Sequence, residues 1–165
     1  MKFTLITLSA FVALSLSVRA ESTVTLKDIH NCCGSCEKGI TKAVTSVDGA
    51  TVTTTKTSAT ITAKDKATAD KAVNALVAAG FYGEGAPAQS APDKKVKSAT
   101  VSGTHLCCAK CVTVVNEALN KVPGVKTNTA KKNAATFDVT GDFKPTDVFA
   151  ALHQAGLTGK EMKAE

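Results

Sequence analysis

The sequence predicts an α+β chain built from two copies of one small module in tandem, each an antiparallel sheet carrying two helices on one face. Three observations carry this reading. His30-Asn31-Cys32-Cys33-Gly34-Ser35-Cys36 returns as His105-Leu106-Cys107-Cys108-Ala109-Lys110-Cys111, and self-similarity at a fixed spacing marks a duplicated unit. The register continues past the cysteines: Ile40, Val44, Val47 and Gly49 match Val115, Leu119, Val122 and Gly124, and Val73, Leu76, Ala79 and Gly80 match Phe149, Leu152, Ala155 and Gly156. Between the copies, 84–96 is rich in Ala, Pro and Gly without apolar period, as a partly extended linker would be.

In the first copy, 21–83, Thr23 to Ile29 alternates as a strand does. Ile40, Val44 and Val47 then recur at helical spacing, ending before Gly49. Ala50 to Thr55 and Ala59 to Ala63 are rich in Thr, Val and Ile, which suits two paired strands. Ala67 to Ala79 places Ala72, Val73, Leu76 and Ala79 on one helical face closed by Gly80, and Phe81-Tyr82 begins a last short strand. The second copy, 97–165, repeats the order. A strand near Ala99 to Gly103 leads to a helix from Ala109 to Lys121; strands near Val125 to Thr129 and Ala134 to Val139 precede a helix from Pro145 to Ala155. Pro145 suits a first helical turn and Gly156 the position after the last. The order βαββα with a final strand is the ferredoxin-like βαββαβ arrangement. Ile40, Val44, Leu76, Val115, Leu119, Phe149 and Leu152 form the expected core, and the linker leads one to expect modules that move somewhat independently.

The first twenty residues are of another kind. A basic start at Lys2, an apolar run from Phe3 to Val18 and the small residue Ala20 form the pattern of a secretory signal cut before Glu21. The run is short for a bilayer span of about 20 residues, so the mature chain is expected outside the cytoplasm, periplasmic or secreted, without membrane insertion. Loss of Lys2 and Arg19 brings the net charge from +6 to about +4. Those charges are scattered, and with one Tyr and no Trp there is no stacking surface for bases, which argues against a nucleic-acid partner.

All six cysteines lie in the two motifs, and His30 and His105 each stand two residues before the first cysteine. Exported cysteines usually pair, but three within five residues, twice, close little loop when bridged and leave an odd thiol in each copy. Cys33 and Cys36, or Cys108 and Cys111, are spaced so that one turn at a helix start aims both sulfurs at one point. The free N–H groups and dipole there favour thiolate, with Lys38 and Lys110 acting in the same sense. Thiolates select soft ions: Cu(I) or Zn(II), and by the same softness Cd(II) or Hg(II). Cys32 and Cys107 offer a third sulfur, and His30 or His105 would complete a tetrahedral Cys3His set. For each histidine a solvated loop residue is the competing reading. His153 has no counterpart in the first copy, where Val77 stands, and reads as a helix-surface residue.

These residues, with Val47-Asp48-Gly49, Val122-Pro123-Gly124-Val125 and Ala79-Gly80-Phe81-Tyr82, give the chain a resemblance to two heavy-metal-associated domains. That small module occurs in copper chaperones, periplasmic mercury scavengers and the N-terminal arms of metal-pumping ATPases. The resemblance implies a βαββαβ fold, metal-thiolate roles for Cys33, Cys36, Cys108 and Cys111, and a membrane metal transporter or another metal carrier as partner. The family's Gly-Met before the first cysteine is here His30-Asn31 and His105-Leu106, and the third cysteine stands where the family has a small polar residue. Both departures favour a higher-coordinate ion, such as Zn(II) or Cd(II), or clustered copper.

The function expected is therefore an exported, non-catalytic carrier or scavenger of soft metal ions. An exported thiol-disulfide oxidoreductase using the Cys-x-x-Cys pairs is the alternative. A partner-binding adaptor using the Thr-rich sheet face at 51–60 is a third and weaker option. The sequence shows no nucleophile-base-acid arrangement and no phosphate-cradling glycine loop.

Overall fold

A computed structural model of the chain describes residues 20–164; the expected signal, apart from Ala20, lies outside them. The order is β1 (Ser22–Lys27), α1 (Gly34–Thr45), β2 (Ala50–Thr54), β3 (Ser58–Ala63), α2 (Lys66–Ala78), β4 (Val96–Ser102), α3 (Ala109–Asn120), β5 (Val125–Asn128), β6 (Thr136–Phe143), α4 (Pro145–Gln154) and β7 (Glu161–Ala164). The chain is thus α+β, with four helices and two antiparallel sheets among the described residues.

Each sheet is built by alternation. In β3, Ala59, Ile61 and Ala63 point inward and are buried, while Ser58, Thr60 and Thr62 face away. The outward threonines pair across strands, with Thr60 Oγ1 3.2 Å from Thr25 Oγ1. The helices cover the inward faces: α2 packs on β1 and β3, α1 on β2 and on α2, and α3 on β5 and α4. α2 begins at Asp65, whose carboxylate accepts from Thr68 N–H at 2.8 Å and so satisfies one free donor of the first turn.

The first sheet has the order β1-β3-β2 and the second β5-β6-β4-β7. Only the second half therefore has a sixth element, β7 on the free edge of β4. The final strand expected from Phe81-Tyr82 is replaced by a single bridge from Phe81 to Leu157 in the other half, and Lys27 at the end of β1 bridges Glu84. Phe81 is fully buried at this crossing, so its backbone pairs with the neighbouring copy and not with its own sheet.

The expectation of independent modules is not met, because the halves are docked through backbone. Gly156 C=O accepts from His30 N–H and Tyr82 N–H, both at 3.1 Å, and Gly80 C=O accepts from Thr158 N–H at 3.1 Å. Gly80 and Gly156 both have positive φ, 88° and 75°. A Cβ on Gly80 would collide with the backbone of Gly103 and His105, and one on Gly156 with that of Asp28 and His30. Each helix-ending glycine thus also fits the loop that leads to the other copy's cysteines. His153 is not a plain surface residue either. It is half-buried, stacked on Tyr82 at 3.8 Å, and its Nε2 lies 3.0 Å from Thr158 Oγ1.

Candidate metal centre

The helix period decides where the sulfurs lie. Cys36, Ile40 and Val44 follow one another at intervals of four on α1, and all three are fully buried; Cys111, Val115 and Leu119 do the same on α3. The last cysteine of each motif is thus the first rung of a core-facing stripe. Cys33 and Cys108 occupy the N-cap positions in extended backbone, and Cys32 and Cys107 precede them in the loops. These four are half-buried.

Because the two loops face one another, the six thiols form one group. Within the first motif, Cys32 and Cys36 sulfurs are 3.6 Å apart and Cys33 and Cys36 3.7 Å. The corresponding separations in the second are 3.7 Å for Cys107–Cys111 and 3.5 Å for Cys108–Cys111. Separations between motifs are no longer: Cys36–Cys107 3.5 Å, Cys32–Cys108 3.6 Å, Cys36–Cys111 3.8 Å, Cys33–Cys107 and Cys32–Cys111 3.9 Å, and Cys33–Cys108 4.0 Å. All six are free thiols. His30 belongs to the same group, with Cys32, Cys36 and Cys111 near enough to share an ion. The tetrahedral Cys3His set expected within one motif is here assembled from His30 and two sulfurs of the first copy with one sulfur of the second.

The electrostatics follow from crowding. Cys36 and Cys111 titrate as a pair. A thiolate at Cys36 is favoured first by hydrogen bonding from Cys111, against the cost of burial, with His105 and Cys107 acting in the same direction; Cys111 is correspondingly held protonated. Burial and hydrogen bonding to Cys108 push Cys32 up to about 12, and Cys107 is raised for related reasons. Cys108 is lowered to about 6, chiefly by the backbone N–H of Cys111. This is the effect expected of a helix start, although its sulfur closes no cap hydrogen bond. Without an ion the site therefore holds few negative charges. A bound cation would displace the remaining protons, since only thiolates ligate.

The histidines sit behind the sulfurs. Burial lowers the His30 pKa, and its neutral ring is then a donor for a metal. The Nε2 atoms of both His30 and His105 are buried without a hydrogen-bond partner among the described residues, an arrangement that ordinarily costs free energy and that a water or an ion would relieve. The His105 ring packs on Phe81 at 4.2 Å, and Gly39 of α1 leaves it room, since a Cβ there would lie 3.0 Å from His105 Cε1. An open groove lined by Asp28, His30, Cys32, Cys33, Glu37 and Lys110 leads in from solvent.

No protein-family model matches the chain, and no curated protein does. Among solved structures, the chain is similar to the N-terminal soluble domains of Bacillus subtilis CopA. Identity is 16%, over 89% of this chain and 95% of that one, with a TM-score of 0.33. A second likeness is to the water-soluble region of the P-type ATPase CopA from Bacillus subtilis, also 16% identical, over 89% and 93% of the two chains, with a TM-score of 0.31. Likenesses this distant carry no argument about the site, whose case rests on its own geometry.

Proposed function

We propose that the chain is an exported carrier or scavenger of soft metal ions, held jointly by the two Cys-Cys-x-x-Cys loops. The observation that supports this reading is the convergence of six free thiols, each within 4.0 Å of at least three others. Crowding of this kind is costly once more than one thiol ionises, because like charges then lie side by side, and a cation relieves that cost. The sulfur-rich donor set suits Cu(I), Zn(II), Cd(II) or Hg(II). Binding and release by ligand exchange through the open groove would suit delivery to a membrane metal transporter or another carrier. In this reading each half is a heavy-metal-associated module of ferredoxin-like type, and the protein is not an enzyme.

Anaerobic titration of the reduced chain against a competing chelator tests the proposal. Stoichiometric binding, abolished by alkylating the thiols, is the expected result. Absence of binding under reducing conditions, with turnover of a disulfide substrate instead, would favour the oxidoreductase. Export is tested separately: secreted protein should begin at Glu21.

A further inference from the structure

We infer that the shared site is built for a cluster of four Cu(I) ions bridged by the six thiolates, and not for one ion per motif; this rests on the metal-binding reading above. The sulfurs fall into four groups of three whose ligand atoms lie within 4.8 Å of one another: Cys32-Cys36-Cys111, Cys32-Cys33-Cys108, Cys33-Cys36-Cys107 and Cys107-Cys108-Cys111. Every cysteine belongs to two of these groups and none to three. That is the connectivity of four three-coordinate ions in which each sulfur bridges a pair.

The dimensions agree. Spacings in Cys33-Cys36-Cys107 are 3.5, 3.7 and 3.9 Å, and in Cys32-Cys36-Cys111 they are 3.6, 3.8 and 3.9 Å. An ion centred in either triangle lies about 2.1–2.2 Å from its three sulfurs, close to the ~2.3 Å of a metal–thiolate bond. Three sulfurs in a plane suit Cu(I), which accepts three-coordination, better than Zn(II), which takes four donors. Six sulfurs and two imidazoles make two tetrahedral sets if unshared and no more than three even with every sulfur bridging, so the two metals predict different capacities. His30 adds a donor to one triangle only. The second and third cysteines of each motif alone would satisfy a two-coordinate ion; the cluster accounts for the first.

The balance is simple. Four Cu(I) ions and six thiolates give a cluster of net charge −2, and each cysteine still protonated releases its proton to solvent, with no change of oxidation state. Three of the four triangles combine sulfurs of both copies, so filling the site also locks the halves together.

The test is anaerobic titration of the reduced full chain with a Cu(I)–acetonitrile complex, and separately with Zn(II), read by native mass spectrometry and copper X-ray absorption. The account expects four Cu(I) per chain, taken up with the four-copper species dominating at substoichiometric loading. It also expects three sulfurs per copper and a metal–metal shell shorter than the sulfur spacing. Zn(II) should stop at three or fewer. Cys33→Ser, at a half-exposed thiol, should hold fewer than four Cu(I) and lose the dominance of one species; a circular-dichroism melt separates this from misfolding. One or two Cu(I), each with two sulfurs and no metal–metal shell, would overturn the cluster and leave the metal-binding proposal standing. Zn(II) bound without any copper would likewise overturn the cluster alone, and neither ion bound would overturn both.

Discussion

Cys36 and Cys111 differ from the other four thiols in being the first rungs of apolar helix stripes, fully buried beside Ile40 and Val115. They therefore serve folding as well as binding. Cys36→Ser, which places a hydroxyl in that core, should destabilise the metal-free protein by about 1–3 kcal/mol. Cys33→Ser, half-buried at the N-cap, should stay within roughly 0.5 kcal/mol of the parent. Urea unfolding of the two reduced variants checks the contrast, and equal losses would count against it. Gly156 makes a second residue-scale case. Its φ of 75° costs an alanine about 1–2 kcal/mol, before the collision with the backbone of Asp28 and His30. Gly156→Ala should therefore lower the melting temperature and weaken metal binding together, because the displaced loop carries His30 and Cys32.

At the scale of elements, the halves also meet outside the metal centre, where the end of α4 lies against Phe81-Tyr82. Burial lowers the pKa of His153, so the folded state prefers the neutral ring stacked on Tyr82. The stability this contributes is whole above the unfolded value of about 6.5. It is lost as pH falls from there through the lowered folded value. Metal-free protein should be less stable to urea at pH 5 than at pH 7, and His153→Gln should shrink that difference; an unchanged difference would show that His153 is not its source. At the start of α2, Asp65→Ala should cost about 1 kcal/mol by removing the bond to Thr68 N–H. Most of the strands and helices were legible in the sequence because alternation and the four-residue stripe are periodic signals: Ala59, Ile61 and Ala63 announce β3, and Val115 and Leu119 announce α3. The fate of Phe81-Tyr82 was not legible, because pairing with a distant segment leaves no period. β7, with Lys163 and Met162 on a short edge, has too weak a pattern to place by sequence.

For the whole molecule, the question is how two copies relate. The repeat names the residues that carry sulfur, and spacing along the chain suggests that each motif serves itself. Nothing local reports that Gly80 and Gly156, ordinary helix-ending residues by sequence, also dock the halves so that the motifs confront one another. Hence the six cysteines and His30, which the structure brings into one group, could be named from sequence while their grouping could not: Cys111 joins His30, Cys32 and Cys36 across the repeat, and His105 joins none of these groups. Carrying both motifs on one chain then has a physical use, since it supplies at fixed distance the six sulfurs that separate chains would have to gather by collision. The claim on which the account turns is that the copies share one centre. Its most direct test is the Cu(I) affinity and capacity of a variant with Cys107, Cys108 and Cys111 all replaced by serine, measured beside the parent. Every one of the four sulfur triangles contains a residue from that set, so the account predicts that the four-ion species vanishes and that the affinity of what remains falls by more than about tenfold, or ~1.4 kcal/mol. A variant that keeps half the parent's capacity at undiminished affinity would mean that each motif works alone, and would contradict it.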